Sequence, residues 1–199
     1  MSNLLPDFRG DLAFAYQFEG FGGHPYHPGG KTRGIIIAGI DLGHADWGLI
    51  DEALGDVFGP DEMQTLLEVL AVKGQSAANK LKHYQIYEWT YTEDQARTIF
   101  GYVGREYWRN ITKRFPKLTH ADTPAPVQDV FLSLAINRGV NNKALEPLQA
   151  LLDLNGWAQM ATTIQQMQQG HDLEDIRERR RVEGLHIRRY CLSQRRNHA

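Results

Sequence analysis

The chain reads as an α+β domain, mostly α, on three observations. A glycine- and proline-rich stretch near the front carries a run of three isoleucines. A short apolar repeat at helical spacing precedes that stretch. From His44 onward, helical periodicity continues almost without interruption.

The front repeat is Phe8, Leu12, Ala15 and Phe18, three to four residues apart, which predicts a short amphipathic helix ended by Gly20, Gly22 and Gly23. Glu19 then stands at the C-terminal end of that helix. Between His24 and His44, Pro25, Pro28 and repeated glycines surround Ile35-Ile36-Ile37, a pattern for turns about a small β-hairpin. Pro60 and Gly74 bracket a helix with Leu66, Leu67 and Leu70 on one stripe. Thr92 and Gln95 form a capping box for a long helix repeating Ile99, Phe100, Val103 and Tyr107. Thr123-Pro124 opens a further helix through Val127, Val130, Phe131 and Leu134, closing near Gly139. Shorter helices are expected over 144–153 and 157–168, and Asp172 is expected to cap a final arginine-rich helix.

With 199 residues, of which 42% are hydrophobic, the chain can bury one substantial core, so a single domain over 1–199 is expected. A formal net charge of -2 argues against a bulk polyanion binder. Charge is nevertheless segregated: His171–Ala199 holds eight arginines against five acidic residues. Glu174, Asp175, Glu178 and Glu183 stand at pairing distance along that helix, so a solvated, paired face is expected there rather than a nucleic-acid site. Cys191 is the only cysteine, so no intrachain disulfide is available. No stretch approaches the roughly 20 apolar residues of a membrane span, and the N-terminus lacks a secretory-signal pattern.

For chemistry, Glu19 draws attention because Phe18 and Phe21 flank it and glycines follow. A carboxyl in a partly apolar place at the negative end of a helix can keep a proton, as the acid of glycosidic cleavage must. From the residues alone, a solvated surface glutamate is the commoner case. His24, His27 and His44 in the same region raise a zinc-amidase reading, but their spacing matches no compact zinc signature. His24 and Tyr26 are better taken as cleft wall, with an aromatic ring for a sugar face. Lys31 and Arg33 could reach acidic groups on a stem peptide, though solvated turn residues are commoner.

Four segments together carry a resemblance. Phe18-Glu19-Gly20-Phe21 followed by His24-Pro25-Tyr26 is similar to the Glu-Gly start of phage-type lysozymes. Gly34-Ile35-Ile36-Ile37-Ala38-Gly39-Ile40-Asp41-Leu42-Gly43-His44 resembles the hairpin of the pesticin-like muramidase branch, which typically reads Thr-Ile-Gly-x-Gly-x-Asp-Leu-Gly. Leu132–Gly139 resembles that superfamily's Ser-x-x-x-Asn-x-Gly helix end, and Ile176–Leu185 resembles its closing Arg-Arg-x-x-Glu helix. The likeness runs in order over about residues 10–190.

The resemblance implies a lysozyme-like two-lobed fold, with a β-hairpin front lobe over about 10–60, a larger helical lobe over about 60–190, and substrate in the cleft between. Residues 191–199 are expected as a flexible tail. It further implies a cofactor-free, metal-free muramidase in which Glu19 is the general acid and Asp41 the second carboxylate. Without the resemblance, Asp41 is an ordinary turn aspartate. His24, Tyr26, Ile35, His44, Asn137 and Arg138 are expected to bind substrate; for Asn137 and Arg138, capping a helix end is the plainer role.

The sequence departs from the family at Ile35, where relatives carry a catalytic threonine, and isoleucine cannot hydrogen-bond a water. Either Thr32 supplies the hydroxyl, or Asp41 works alone, or the chain binds sugar without cutting it. The implied partner is the peptidoglycan strand, with an immunity protein as a further candidate, no nucleic acid and no integral membrane segment. The chain is expected to act as a monomer. A domain of this kind is made in the cytoplasm and acts in the periplasm or wall of a target or host bacterium. It serves as a phage endolysin or as a delivered antibacterial toxin; the hairpin leans toward the toxin. A non-catalytic wall-binding module is the rival from another class.

Overall fold

A computed structural model describes residues 5–197. In chain order its elements are α1 (Leu12–Tyr16), β1 (Ile36–Ile37), β2 (Ile40–Asp41), α2 (Trp47–Leu54), α3 (Pro60–Val69), α4 (Gly74–His83), α5 (Glu93–Arg114), α6 (Ala125–Arg138), α7 (Pro147–Asp153), α8 (Trp157–Gln166) and α9 (Glu174–Asn197), with single 3-10 turns at Ile86–Glu88, Pro116–Thr119 and Lys143–Leu145. The protein is mostly helical with one two-stranded antiparallel sheet, an α+β arrangement. Among the described residues, no helix is long and apolar enough to cross a membrane.

The chain divides into two compact units, one made of Met1–Phe18 with Gly104–Ala199 and the other of Glu19–Val103. The division therefore falls within α5, between Val103 and Gly104.

In the Glu19–Val103 unit, β1 and β2 pair with Ile36 opposite Asp41 and Ile37 opposite Ile40. The linking residues Ala38 and Gly39 have φ of 45° and 91°, the positive pair that a two-residue hairpin turn of right-handed twist requires. Ile35, Ile36, Ile37, Ile40 and Leu42 are all buried, as are Ile50, Leu54, Leu66, Val69 and Ile86 in the helices that follow. Asp46 caps α2 by accepting from the Leu49 N–H at 2.9 Å, and Glu62 accepts from the Gly59 N–H at 2.7 Å before α3. The predicted capping box of α5 is present: the Thr92 N–H donates to Gln95 Oε1 at 2.8 Å, and the Gln95 N–H donates to Thr92 Oγ1 at 3.2 Å.

In the other unit, α6 is the central helix. Every residue from Val127 to Ala135 is buried, so it has no polar face. It packs against α1 and α9, and α9 also runs along α8. A helix buried all round must satisfy its polar residues internally. Gln128 accepts from the Arg9 N–H at 2.7 Å and donates to Leu118 O at 2.7 Å. Asp129 accepts from the Asp11 N–H at 2.6 Å and pairs with His186 Nε2 at 2.8 Å, while the His186 ring stacks on Phe14 at 4.1 Å.

Ser133 donates to Glu183 Oε1 at 2.6 Å, and Glu183 lies 3.0 Å from Arg180 and 3.4 Å from Arg179. Burial pushes the Glu183 carboxyl up from its ordinary value, and burial pulls Arg180 down to about 10.

Several sequence expectations shift. The front helix starts at Leu12, not near Phe8, because the Asp11 side chain accepts from the Ala13 N–H and fixes the start. Phe8 instead packs edge-on against Trp108 at 4.9 Å. Two helices, α2 and α4, lie in the generally helical stretch after His44 where the sequence set no bounds for them, and Gly74 opens α4 instead of following α3. The final helix begins at Glu174, two residues beyond Asp172. It continues to Asn197, so 191–197 are helical where a flexible tail is expected; residues 198–199 lie outside the described residues. Arg177 pairs with Glu174 and Arg181 with Glu178, as the expected paired face requires, whereas Arg179, Arg180 and Glu183 are buried where a solvated face is expected.

The Glu183 network makes a specific demand on stability. Glu183→Ala leaves two buried guanidiniums without their carboxylate and should cost about 3–5 kcal/mol. Thermal unfolding should then fall by about 10 °C, and a loss of only a degree or two would mean that water reaches the site.

Candidate active site

Seven of the nine predicted site residues (Glu19, His24, Tyr26, Thr32, Ile35, Asp41 and His44) belong to the Glu19–Val103 unit; Asn137 and Arg138 belong to the other.

Asp41 is fixed by its own loop. Its Oδ1 accepts from the Gly34 N–H and the Gly43 N–H, each at 2.9 Å. The two glycines approach so closely that a Cβ on Gly34 would stand 2.2 Å from the Gly43 nitrogen and 2.8 Å from Asp41 Oδ1. No residue with a side chain fits at Gly34 without moving the backbone. The other oxygen, Oδ2, lies 3.5 Å from Arg33 Nη1, and the Asp41 side chain is 13% exposed. Asp41 therefore closes the hairpin loop through Oδ1, while Oδ2 is buried and takes no hydrogen bond, with the Arg33 guanidinium beside it.

Ile36 has a second partner. The Tyr26 N–H donates to Ile36 O at 3.0 Å, and the Ile36 N–H donates to Tyr26 O at 2.7 Å. Tyr26, Ile36 and Asp41 thus form one row across the ribbon, and Tyr26 is 53% exposed at its edge. An exposed ring in that row suits stacking on a sugar face.

Glu19 is exposed and stands in the turn after α1, beyond the C-cap Gln17. The sheltered setting expected from the sequence is not found. The setting is not apolar, and α1 has five residues, too few for a strong dipole at its end. Phe21 packs edge-on to Tyr91 at 6.0 Å, so one of the aromatic neighbours expected beside Glu19 has a partner of its own.

Ile35 corrects the sequence reading more sharply. It is fully buried, with its carbonyl accepting from the Leu42 N–H at 2.9 Å, so it has no surface for a sugar and is a core residue. Thr32 is exposed in the loop before the hairpin, and its carbonyl accepts from His44 Nε2 at 2.8 Å. Of the two positions, only Thr32 leaves a side chain at the surface.

The three loop histidines serve as braces. His24 Nδ1 bonds Trp89 O at 3.0 Å. His27 Nδ1 accepts from the Gly29 N–H, so its Nε2–H donates to Arg33 O at 3.1 Å. His44 Nδ1 faces the Lys73 ammonium at 3.2 Å; an ammonium can only donate, so the His44 Nε2–H donates to Thr32 O. Among the described residues, no three His, Cys, Asp or Glu side chains come together as a metal would need.

Asn137 and Arg138 occupy the last turn of α6. Asn137 Oδ1 accepts from buried Arg180 at 2.9 Å, so its amide serves the interior network. Arg138 keeps Nε and Nη1 buried. Gly139, with φ of 83°, is the residue that ends the helix. An open depression of about 520 Å³ lies in the same unit, lined by Asn110, Lys113, Arg114, Val140 and Asn141, none of them a predicted site residue.

Sequence reasoning missed Tyr91, whose hydroxyl accepts from the Ala38 N–H at 3.1 Å and donates to His24 O at 3.4 Å, tying the hairpin tip to the His24 turn. It also missed Lys73. Both act over long sequence separations, and no local pattern marks them.

Asp41→Asn keeps an oxygen for the two glycine N–H groups, whereas Asp41→Ala strands them at a cost of about 2–4 kcal/mol. Thermal melts should show the alanine variant several degrees below the asparagine variant; equal melts would remove the loop-closing role. Ile35→Thr puts a hydroxyl into the core and should destabilise by about 1–3 kcal/mol in denaturant titration, with no gain in any activity. Comparison of the chain with models of known protein families and with curated protein sequences found no match to either.

Proposed function

We propose that the chain is a β-1,4-N-acetylmuramidase acting on peptidoglycan. The observation that supports this best is the Tyr26–Ile36–Asp41 row, which sets an exposed aromatic ring and an anchored carboxylate on either side of Ile36 in one ribbon. Glu19 belongs to the same unit, in a glycine-rich turn seven residues before Tyr26.

Glu19 donates a proton to the bridging oxygen as the bond from that oxygen to the anomeric carbon breaks. Positive charge then develops at the anomeric carbon and ring oxygen, and the Asp41 carboxylate offsets it. Water adds at the anomeric carbon and gives up a proton to a carboxylate, which balances the reaction as a hydrolysis. Thr32 replaces Ile35 as the group that orients this water, since Ile35 is sealed in the core. Because Glu19 is exposed before substrate arrives, the low-polarity setting a general acid needs comes from the sugar itself covering it. The biological settings this fits are a phage endolysin and an antibacterial toxin delivered to a rival's wall.

A second reading, a wall-binding module without activity, is favoured by one specific observation. Asp41 Oδ1 is wholly engaged by the loop, and the threonine position is a buried isoleucine. The two readings part on release of reducing ends from purified sacculi. The muramidase predicts release by the wild type and a fall on the order of 10³-fold or more in Glu19→Gln, with wall binding retained. Binding without release by the wild type would establish the module and end the catalytic proposal.

A further inference from the structure

The loop Lys31–Gly34 is pinned against the start of α4. Arg33 O accepts from the Gly74 N–H at 2.8 Å, and a Cβ on Gly74 would stand 3.0 Å from Lys31 O. His44 bridges the same two segments, donating to Thr32 O and facing Lys73 Nζ. With the backbone so fixed, the side chains of Lys31, Arg33 and Lys73 belong to one corner of the unit, and all three are exposed.

The charges at that corner do not balance. Arg33 pairs with Asp41. Among the described residues, neither Lys31 nor Lys73 makes an ion pair, and the Lys73 ammonium faces only the His44 ring. Like charges held near one another raise the free energy of the unbound protein, so an anion arriving there relieves repulsion as well as adding attraction. Two to three cations at a corner fit a ligand with one or two separate carboxylates. They do not form the extended basic stripe that a polyanion follows, and the net charge of -2 works against such a ligand.

We infer that Lys31 and Lys73, on the pinned loop beside the Asp41 hairpin, bind free carboxylates of the peptides that hang from the wall glycan. This inference rests on the muramidase reading for the identity of its ligand. It makes the substrate a peptide-bearing strand rather than bare glycan, with Arg33 linking the corner to Asp41 through their ion pair.

The test uses the full chain carrying Glu19→Gln, so that binding is read apart from cutting, and sacculi free of teichoic-type phosphate polymers. Half of the sacculi have their peptide carboxyls converted to amides. Co-sedimentation should show the Glu19→Gln protein binding native sacculi about 5–10-fold more tightly than amidated ones, with the preference fading as salt rises. Adding Lys31→Gln and Lys73→Gln should erase the preference, and Lys31→Arg with Lys73→Arg should restore it, which separates loss of charge from loss of fold.

Equal binding to native and amidated sacculi overturns the inference. So does an undiminished preference in the glutamine variant. Reducing-end release by the wild type is scored separately. A chain that cuts walls without the carboxylate preference keeps the muramidase and loses the corner. A chain that shows the preference but never cuts keeps the corner and loses the enzyme.

Discussion

One aspartate oxygen taking two backbone N–H groups organises the front of the Glu19–Val103 unit. The Gly34 and Gly43 nitrogens both reach Asp41 Oδ1, and this holds two strands of loop at a spacing that no Cβ permits. With the loop closed, Ile35 and Leu42 are brought to hydrogen-bonding distance and fall into the core on both sides of the turn. The closed hairpin then offers Ile36 as an edge to which Tyr26 bonds. The same closure leaves the Lys31–Arg33 carbonyls facing His27, His44 and Gly74. A carboxylate is suited to this task because it accepts two charge-assisted bonds on one oxygen, while the other, buried, faces the Arg33 guanidinium.

The second unit meets the opposite problem, charge in a fully apolar place. Glu183 is sealed among Arg179, Arg180 and Ser133, and burial works against both charged partners, raising the carboxyl and lowering Arg180. Mutual attraction offsets part of that cost, and Ser133 and Asn137 occupy further hydrogen-bonding positions. Such a network tolerates few alternative packings, because a shifted helix would strand a charge. It fixes the register of α9 against α6. Arg179 also lies over the Phe18 ring at 4.7 Å, so the residue before Glu19 is held by the same network.

What the sequence made legible follows from which forces were local. The capping box of α5 is a four-residue interaction, and it was readable because Thr92 and Gln95 need nothing else. The hairpin was readable from glycines and isoleucines, though not its burial: three consecutive isoleucines show no alternation because residues on both faces of the ribbon are enclosed. Helices α2 and α4 could not be delimited for a related reason. Gly48 interrupts α2, and α4 opens on a glycine and buries only Gly74 and Ala77, leaving almost no apolar stripe to find. The site residues divide along the same line. Asp41 lies on the hairpin its motif suggested, while the bridge of Tyr26 to Ile36, the exposure of Glu19 and the enclosure of Ile35 depend on the whole unit's packing.

If the chain is the proposed muramidase, the enclosure of Ile35 has a chemical consequence. A water that attacks an anomeric carbon needs a fixed acceptor or donor, and the hairpin core supplies none at that position. The nearest exposed hydroxyl in the sequence is Thr32, on the loop that His44 and Gly74 pin in place. A loop so restrained can hold a water with little further loss of entropy, which is the advantage of preorganisation in catalysis. The restraint that suits Thr32 for this task also fixes Lys31 and Arg33 on either side of it. On the proposed reading, positioning of the nucleophile and recognition of the wall peptide would be two uses of one rigid loop, and loosening it through His44 would weaken both together.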